Sequence, residues 1–168
     1  GRWGGFWNEN AAGRVQWLLN SSSAGAGCAA AGKIAAAGEC ARFMRRLLDR
    51  QPEPDRGFHL NLDPDGEVIT DAAGEPTLSF YDYAGPVRPA LFATAIAGLV
   101  WLGRQTGDAD HFDTARDYAT VMLDARQARR SPFASKSGWA ALQLHAHRPD
   151  EDLLKYAQAV GRTLLDRQ

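Results

Sequence analysis

The sequence predicts an all-α domain, and two observations carry that prediction. Of the 168 residues, 29 are Ala and 17 are Gly, which is far more than a sheet-rich domain uses. Ala has the highest helix propensity, and small side chains let helices approach closely. In the range 88–105, apolar residues recur at steps of three and four, the period of a helix that is buried around much of its circumference. We therefore expect one domain of packed helices over 1–168.

Start and stop signals divide the chain into helical hairpins. Gly107 is expected to end one helix, and Asp108 or Asp110 to cap the next, because a carboxylate accepts hydrogen bonds from free backbone N–H groups. Pro149 marks a second turn of this kind. The range 21–32 is so rich in Ser, Ala and Gly that helix and loop are equally supported. The predicted helices are 35–50, 88–105, 109–126, 136–147 and 151–167.

A short motif recurs at three predicted helix ends. The range 47–51 reads LLDRQ, the range 164–168 repeats it, and 122–127 reads MLDARQ. Recurrence of one string at the ends of three predicted helices indicates tandem structural repeats. The repeat units are about 1–51, 52–127 and 128–168.

One segment has a different pattern. The range 57–62 alternates apolar and polar residues, 63–66 has turn chemistry, and 67–70 is a possible return strand. We expect a β-hairpin inserted between helical units. Because a strand alternates faces, its apolar side chains should pack on the helices. His59 and Asn61 should then lie on the opposite side, either solvated or in a site.

Composition and charge exclude several classes of partner. With 19 basic and 20 acidic residues the net charge is −1, which gives nucleic acid no electrostatic attraction. No apolar run reaches the ~18 residues of a membrane span, and no signal-peptide pattern is present. Cys28 and Cys40 do not form a disulfide framework. We expect a cytoplasmic protein with a small-molecule substrate and no membrane or nucleic-acid partner.

The sequence predicts neither a metal site nor a cofactor. His145 and His147 stand two residues apart on a predicted helix, so they point in different directions. The Gly-x-Gly at 25–27 follows no strand and lacks a third glycine, so it does not indicate a dinucleotide. The Asp-Pro-Asp-Gly at 63–66 lacks the glutamate of a calcium loop and is expected to be a plain turn.

Two segments carry a resemblance to a known superfamily. The range 50–66 runs from Arg-Gln through Gly-Phe-His-Leu-Asn-Leu to Asp-Pro-Asp-Gly, and it resembles a hairpin of the N-acylglucosamine 2-epimerases. The range 135–141, Ser-Lys-Ser-Gly-Trp-Ala-Ala, resembles the start of an inner helix in the same superfamily. Together with the tandem hairpins, the range 35–168 resembles α/α-toroid proteins. These include the epimerases, many glycoside hydrolases, squalene-hopene-type cyclases and linalool dehydratase-isomerase.

Three hairpins are half of a six-hairpin barrel. We therefore expect a fragment, a half-barrel completed by a second copy or a partner chain, or a smaller open bundle. The resemblance also implies where a site lies, because the connections from outer to inner helices gather at one mouth of a toroid.

The predicted site residues lie in those connections. Asp82 is the first choice for a general acid or base, with His59 and Glu9 as further catalytic candidates. Each of these three has a structural alternative: a turn cap for Asp82, a solvated position for His59 and an ordinary terminal residue for Glu9. For two tryptophans, Trp101 and Trp139, the alternative to a stacking platform is core packing. The candidate substrate-binding residues are Trp7, Asn61, Tyr81, Tyr83, Arg88, Lys136 and Trp139.

The resemblance and these residues predict an acid/base enzyme that acts on a small, largely uncharged substrate. A carbohydrate isomerase, epimerase or glycoside hydrolase is the first choice, because aromatic rings pack against sugar faces. A terpenoid cyclase or isomerase is the second, because aromatic faces attract cationic intermediates. A non-catalytic helical scaffold or subunit is the third, and the incomplete hairpin count favours it.

Overall fold

The computed structural model describes residues 16–51, 57–63, 65–69, 73, 80–82, 90–124 and 134–166. Within these ranges the fold is mostly helical, which confirms the all-α prediction. The elements are, in order, β1 Gln16–Trp17, α1 Leu18–Ala30, α2 Ile34–Asp49, β2 Gly57–His59, β3 Asn61–Leu62, β4 Phe80–Asp82, α3 Ala90–Thr106, α4 Ala109–Asp124, α5 Ala134–His145 and α6 Glu151–Leu165.

The helices pack as three sequential hairpins. α1 packs on α2, α3 on α4, and α5 on α6. α3 also lies between α1 and α5, so the first helices of the hairpins form one layer, which we call the inner layer. α4 contacts α2 and α6 in the outer layer. No helix in the described ranges combines the length and the apolar character needed to cross a membrane.

The turn residues act as the sequence predicts. Gly107 has a φ of +73°, which suits glycine, and its N–H donates to the C=O of Gly103 at 2.8 Å. The carboxylate of Asp108 accepts the N–H of Asp110 at 3.0 Å, and Asp150 accepts two N–H groups in the first turn of α6. These caps set the ends of the α3–α4 and α5–α6 hairpins.

The small β-structure is built from partners far apart in sequence. β1 pairs with β3, and β2 pairs with β4, both antiparallel. The expected return strand at 67–70 contributes a single antiparallel bridge, Leu62 to Val68. The predicted hairpin is therefore present but very short, since the edges of 57–62 are occupied by β1 and β4.

The hairpin turn is held by Asp63. Its Oδ1 accepts the N–H groups of Asp65 at 2.8 Å and Glu67 at 3.0 Å. Gly66 has a φ of +86° and donates its N–H to the C=O of Asp63. The carboxylate is used inside the turn, as in an ordinary Asx turn. In the part of the chain that the structure describes, no group of three His, Cys, Asp or Glu side chains could hold a metal ion.

An aromatic cluster joins β2 to the helices. The Phe58 ring meets Phe92 of α3 edge-on, with centroids 5.2 Å apart, and lies 5.9 Å from Tyr118 of α4. The Tyr118 hydroxyl donates to the C=O of Met44 in α2 at 2.8 Å. Burial raises the pKa of Tyr118 well above its usual value, so the hydroxyl stays a neutral donor. The cluster therefore ties β2 to three helices.

The solvated alternative for His59 and Asn61 is wrong. Only 1% of His59 and 9% of Asn61 is exposed. All six residues of 57–62 are buried, so the segment is covered on both faces. Alternation identifies two faces of a strand but does not tell whether the polar face is also enclosed.

Glycine lets α1 approach α2 closely. A Cβ placed at Gly25 would lie 2.8 Å from the Cβ of Cys40, closer than non-bonded carbons approach. At Gly27, in the same helix, a Cβ would meet no heavy atom within 4 Å. An added methyl group would therefore clash with Cys40 at Gly25 and would meet open space at Gly27.

We expect Gly25→Ala to lower the free energy of unfolding by about 1–3 kcal/mol, because the methyl group forces α1 away from α2. Gly27→Ala is the matched control and should raise it by about 0.5–1 kcal/mol through helix propensity alone. Urea denaturation followed by circular dichroism measures both. A Gly25→Ala variant as stable as Gly27→Ala would contradict the close approach.

Candidate functional site

The strand segment lies at the N-terminal ends of two inner helices. The N–H of Leu18, the first residue of α1, donates to the C=O of Leu60 at 3.0 Å. Phe58 contacts Phe92, in the first turn of α3. The N-termini of α1 and α3 therefore lie at the same end of the bundle, beside β2 and β3.

The N-terminus of α5 lies at this end too. Phe112, near the start of α4, packs on His147, just after α5, with ring centroids 5.4 Å apart. A Cβ at Gly103, near the end of α3, would touch the same Phe112 ring. The C-termini of α3 and α5 thus meet at the opposite end, so Lys136 in the first turn of α5 lies at the strand end. We call this end of the bundle the mouth.

The register of β2 and β4 relates the positions of His59 and Asp82. Gly57 pairs with Asp82, and His59 pairs with Phe80. Positions 59 and 82 are therefore diagonal neighbours on one face of the pair, a relation that spans about 7–8 Å between backbone positions. Two of the three catalytic candidates, His59 and Asp82, therefore lie on neighbouring strands.

Gln51 holds the backbone of His59. The Gln51 side chain accepts the N–H of His59 at 2.7 Å and donates to its C=O at 3.1 Å. It also donates to the C=O of Leu47 at 2.7 Å, which fixes the side chain against the end of α2. Gln51 is the last residue of the repeated LLDRQ motif. The repeat was visible in the sequence, but its role in positioning His59 was not.

Asn61 contributes a buried acceptor near the mouth. Its Oδ1 is buried and, among the described residues, receives no hydrogen bond. Buried polar atoms are nearly always hydrogen-bonded, so this acceptor is unusual in the strand segment.

The remaining predicted site residues fall into three groups. Tyr81 and Asp82 are placed by the backbone of β4. Lys136 and Trp139 are exposed on α5, with 53% of Trp139 accessible, so the core alternative for Trp139 is wrong. The core alternative for Trp101 is wrong as well, because 46% of it is exposed on α3. Outside the described residues lie Trp7, Glu9, Tyr83 and Arg88.

A concavity lies on the outer side of the bundle. It has a volume of about 330 Å³ and lies between α2 and the first turns of α4. Arg45 in its wall forms ion pairs with Asp49 and Asp117, and His111 lies 3.8 Å from Asp108. The charge of Arg45 is already neutralised by these two carboxylates, which makes this groove a weaker candidate site than the mouth.

Cys40 does not offer a nucleophile. Burial, with a smaller contribution from Cys28, raises the pKa of the Cys40 thiol to about 11. A thiol reacts as its thiolate, so Cys40 is inert near neutral pH.

In the part of the chain that the structure describes, fold and site together define an all-α arrangement of three helical hairpins, with a buried polar strand segment at the N-termini of the inner helices. No family model, curated protein or solved structure matches the chain.

Proposed function

We propose that the chain acts as an acid/base enzyme of the α/α-toroid type, with a carbohydrate as substrate. The reaction is an isomerisation or epimerisation, or the hydrolysis of a glycosidic bond. The observation that carries the proposal is the pairing of β2 with β4, which sets the positions of His59 and Asp82 diagonally at the mouth. An imidazole and a carboxylate are the usual pair for moving a proton onto and off a substrate.

Three further features support this assignment. Gln51 fixes the backbone of His59, which limits how far the imidazole can drift from a substrate. Asn61 supplies a buried acceptor for a hydroxyl donor. Trp139 is exposed in the second turn of α5, three residues after Lys136. A buried hydroxyl acceptor and an exposed aromatic ring favour a sugar over a purely apolar terpenoid.

The test measures turnover with purified protein on a panel of reducing sugars and aryl glycosides, with products followed by NMR. His59→Gln keeps a polar side chain of similar reach but removes the titrating group, so turnover should fall at least ~10-fold. Glu151→Gln, which neutralises an exposed carboxylate on α6, is the control and should keep wild-type turnover. The absence of product from every substrate would contradict an enzymatic role and favour the scaffold alternative.

A further inference from the structure

Two tryptophans and two cations stand in matching pairs on the inner layer. On α3, Trp101 precedes Arg104 by three residues, and on α5, Lys136 precedes Trp139 by three. Residues three apart lie on the same side of a helix. All four side chains are exposed. Each inner helix therefore presents an indole next to a positive charge.

The first member of each pair, Trp101 or Lys136, faces away from the outer layer. Trp101 stands two residues before Gly103, which packs against Phe112 of α4, so Trp101 is on the opposite side of α3. Lys136 likewise stands two residues before Gly138, which packs against Val160 of α6. We call the surface formed by Trp101, Arg104, Lys136 and Trp139 the inner face.

The two indoles lie at a similar level. Trp101 is five residues from the end of α3, and Trp139 is six residues from the end of α5. The contacts of Phe112 place these helix ends side by side. Packed helices lie about 8–10 Å apart, so an oligosaccharide of a few rings is long enough to reach both indoles.

Among the described residues, the inner helices carry two positive side chains and no negative one. α1, α3 and α5 contain no Asp or Glu, and their only Lys or Arg residues are Arg104 and Lys136. Within the described ranges neither cation has an ion-pair partner, whereas all four arginines of α2 and α4 form ion pairs with carboxylates. A ligand that carries negative charge complements this face.

The apolar area is too small for a second copy of the chain. Trp101 is 46%, Trp139 53% and Leu142 45% exposed. Together they present on the order of 300 Å² of apolar surface, since a whole aromatic side chain offers about 150–250 Å². A stable interface buries about 800 Å² on each partner, of which about 450 Å² is apolar. An area of this size instead fits one or two stacked rings of a small ligand.

We propose that the inner face binds an acidic oligosaccharide, a chain of uronic acid residues. Its ring faces stack on Trp101 and Trp139, and its carboxylates pair with Arg104 and Lys136. The inference rests on the proposed carbohydrate function and narrows its substrate to an anionic sugar, in place of the uncharged substrate that the sequence predicts.

Isothermal titration calorimetry with tetragalacturonate tests this, with maltotetraose as a neutral ligand that has the same type of linkage. At low ionic strength the acidic ligand should bind at least ~10-fold more tightly, and added salt should reduce the difference. Trp101→Ala and Trp139→Ala should each weaken binding of both ligands ~10-fold or more. Arg104→Gln and Lys136→Gln should weaken only tetragalacturonate binding, by ~3–10-fold each.

Control variants lie on α6, in the outer layer. Arg162→Gln removes an exposed cation, Leu165→Ala removes an exposed apolar side chain, and neither should change either affinity. Circular dichroism checks that every variant is folded.

Several outcomes overturn the inference. Equal affinity for the two sugars, or no binding of either, does so directly. Binding of geranyl diphosphate that the same four variants abolish would assign the face to an isoprenoid. Self-association in sedimentation equilibrium that Trp101→Ala abolishes would assign it to a second copy. The proposed function fails separately, when tetragalacturonate binds as expected but no sugar is turned over.

Discussion

Replacing Phe58 by Ala is expected to lower the free energy of unfolding by about 3–5 kcal/mol, the largest stability effect that we expect in this chain. Phe58 is fully buried, and its ring packs edge-on against Phe92 and at a tilt on Tyr118. Removing it leaves a cavity where β2 joins α3 and α4. A loss of this size is a large part of the stability of a small domain.

Two further variants keep this prediction testable in the event that Phe58→Ala does not fold. Phe58→Leu keeps most of the apolar volume and should cost less than about 1.5 kcal/mol. Leu165→Ala removes an exposed side chain of α6 and should change stability by less than about 0.5 kcal/mol. Denaturant unfolding followed by circular dichroism measures all three. Similar stability of Phe58→Ala and Leu165→Ala would show that the aromatic cluster does not anchor β2.

The predictable part of the fold is the part set by local chemistry. Apolar spacing and capping residues predicted α3 to α6, and Gly107 and Asp150 act at the turns where the sequence places them. α1 was undecided because its composition of Ser, Ala and Gly has no apolar stripe. It is helical because small residues allow close packing, as at Gly25 against Cys40 and Gly98 against Ala26.

The parts that sequence reasoning missed depend on long-range contacts. The edges of 57–62 are paired with β1 and β4, which lie about 20 to 45 residues away and carry no hairpin signal. Burial of His59 follows from that enclosure rather than from its own neighbours in sequence. Trp101 was expected in the core because large aromatics are usually buried. The sequence shows which charged residues α1, α3 and α5 contain. It does not show that these three helices form one layer, so it does not show that their charges share a surface.

Asp82→Asn is expected to lower turnover ~10²-fold or more while leaving the melting temperature unchanged. The substitution keeps the shape of the side chain and removes its ability to carry and release a proton. The position of Asp82 makes this residue the strongest catalytic candidate. β4 pairs with β2 so that position 82 stands diagonally across from His59, at the end of the bundle where the inner helices begin.

The pH dependence of turnover separates a catalytic role for Asp82 from a structural one. If Asp82 and His59 share the proton transfer, the wild-type profile is bell-shaped, and each single variant loses one limb. The double variant Asp82→Asn/His59→Gln should then lose little more than the weaker single variant, because groups that act as a unit are not additive. Wild-type turnover in Asp82→Asn would remove this residue from the mechanism. A lower melting temperature with unchanged turnover per folded molecule would assign Asp82 to capping the segment before α3.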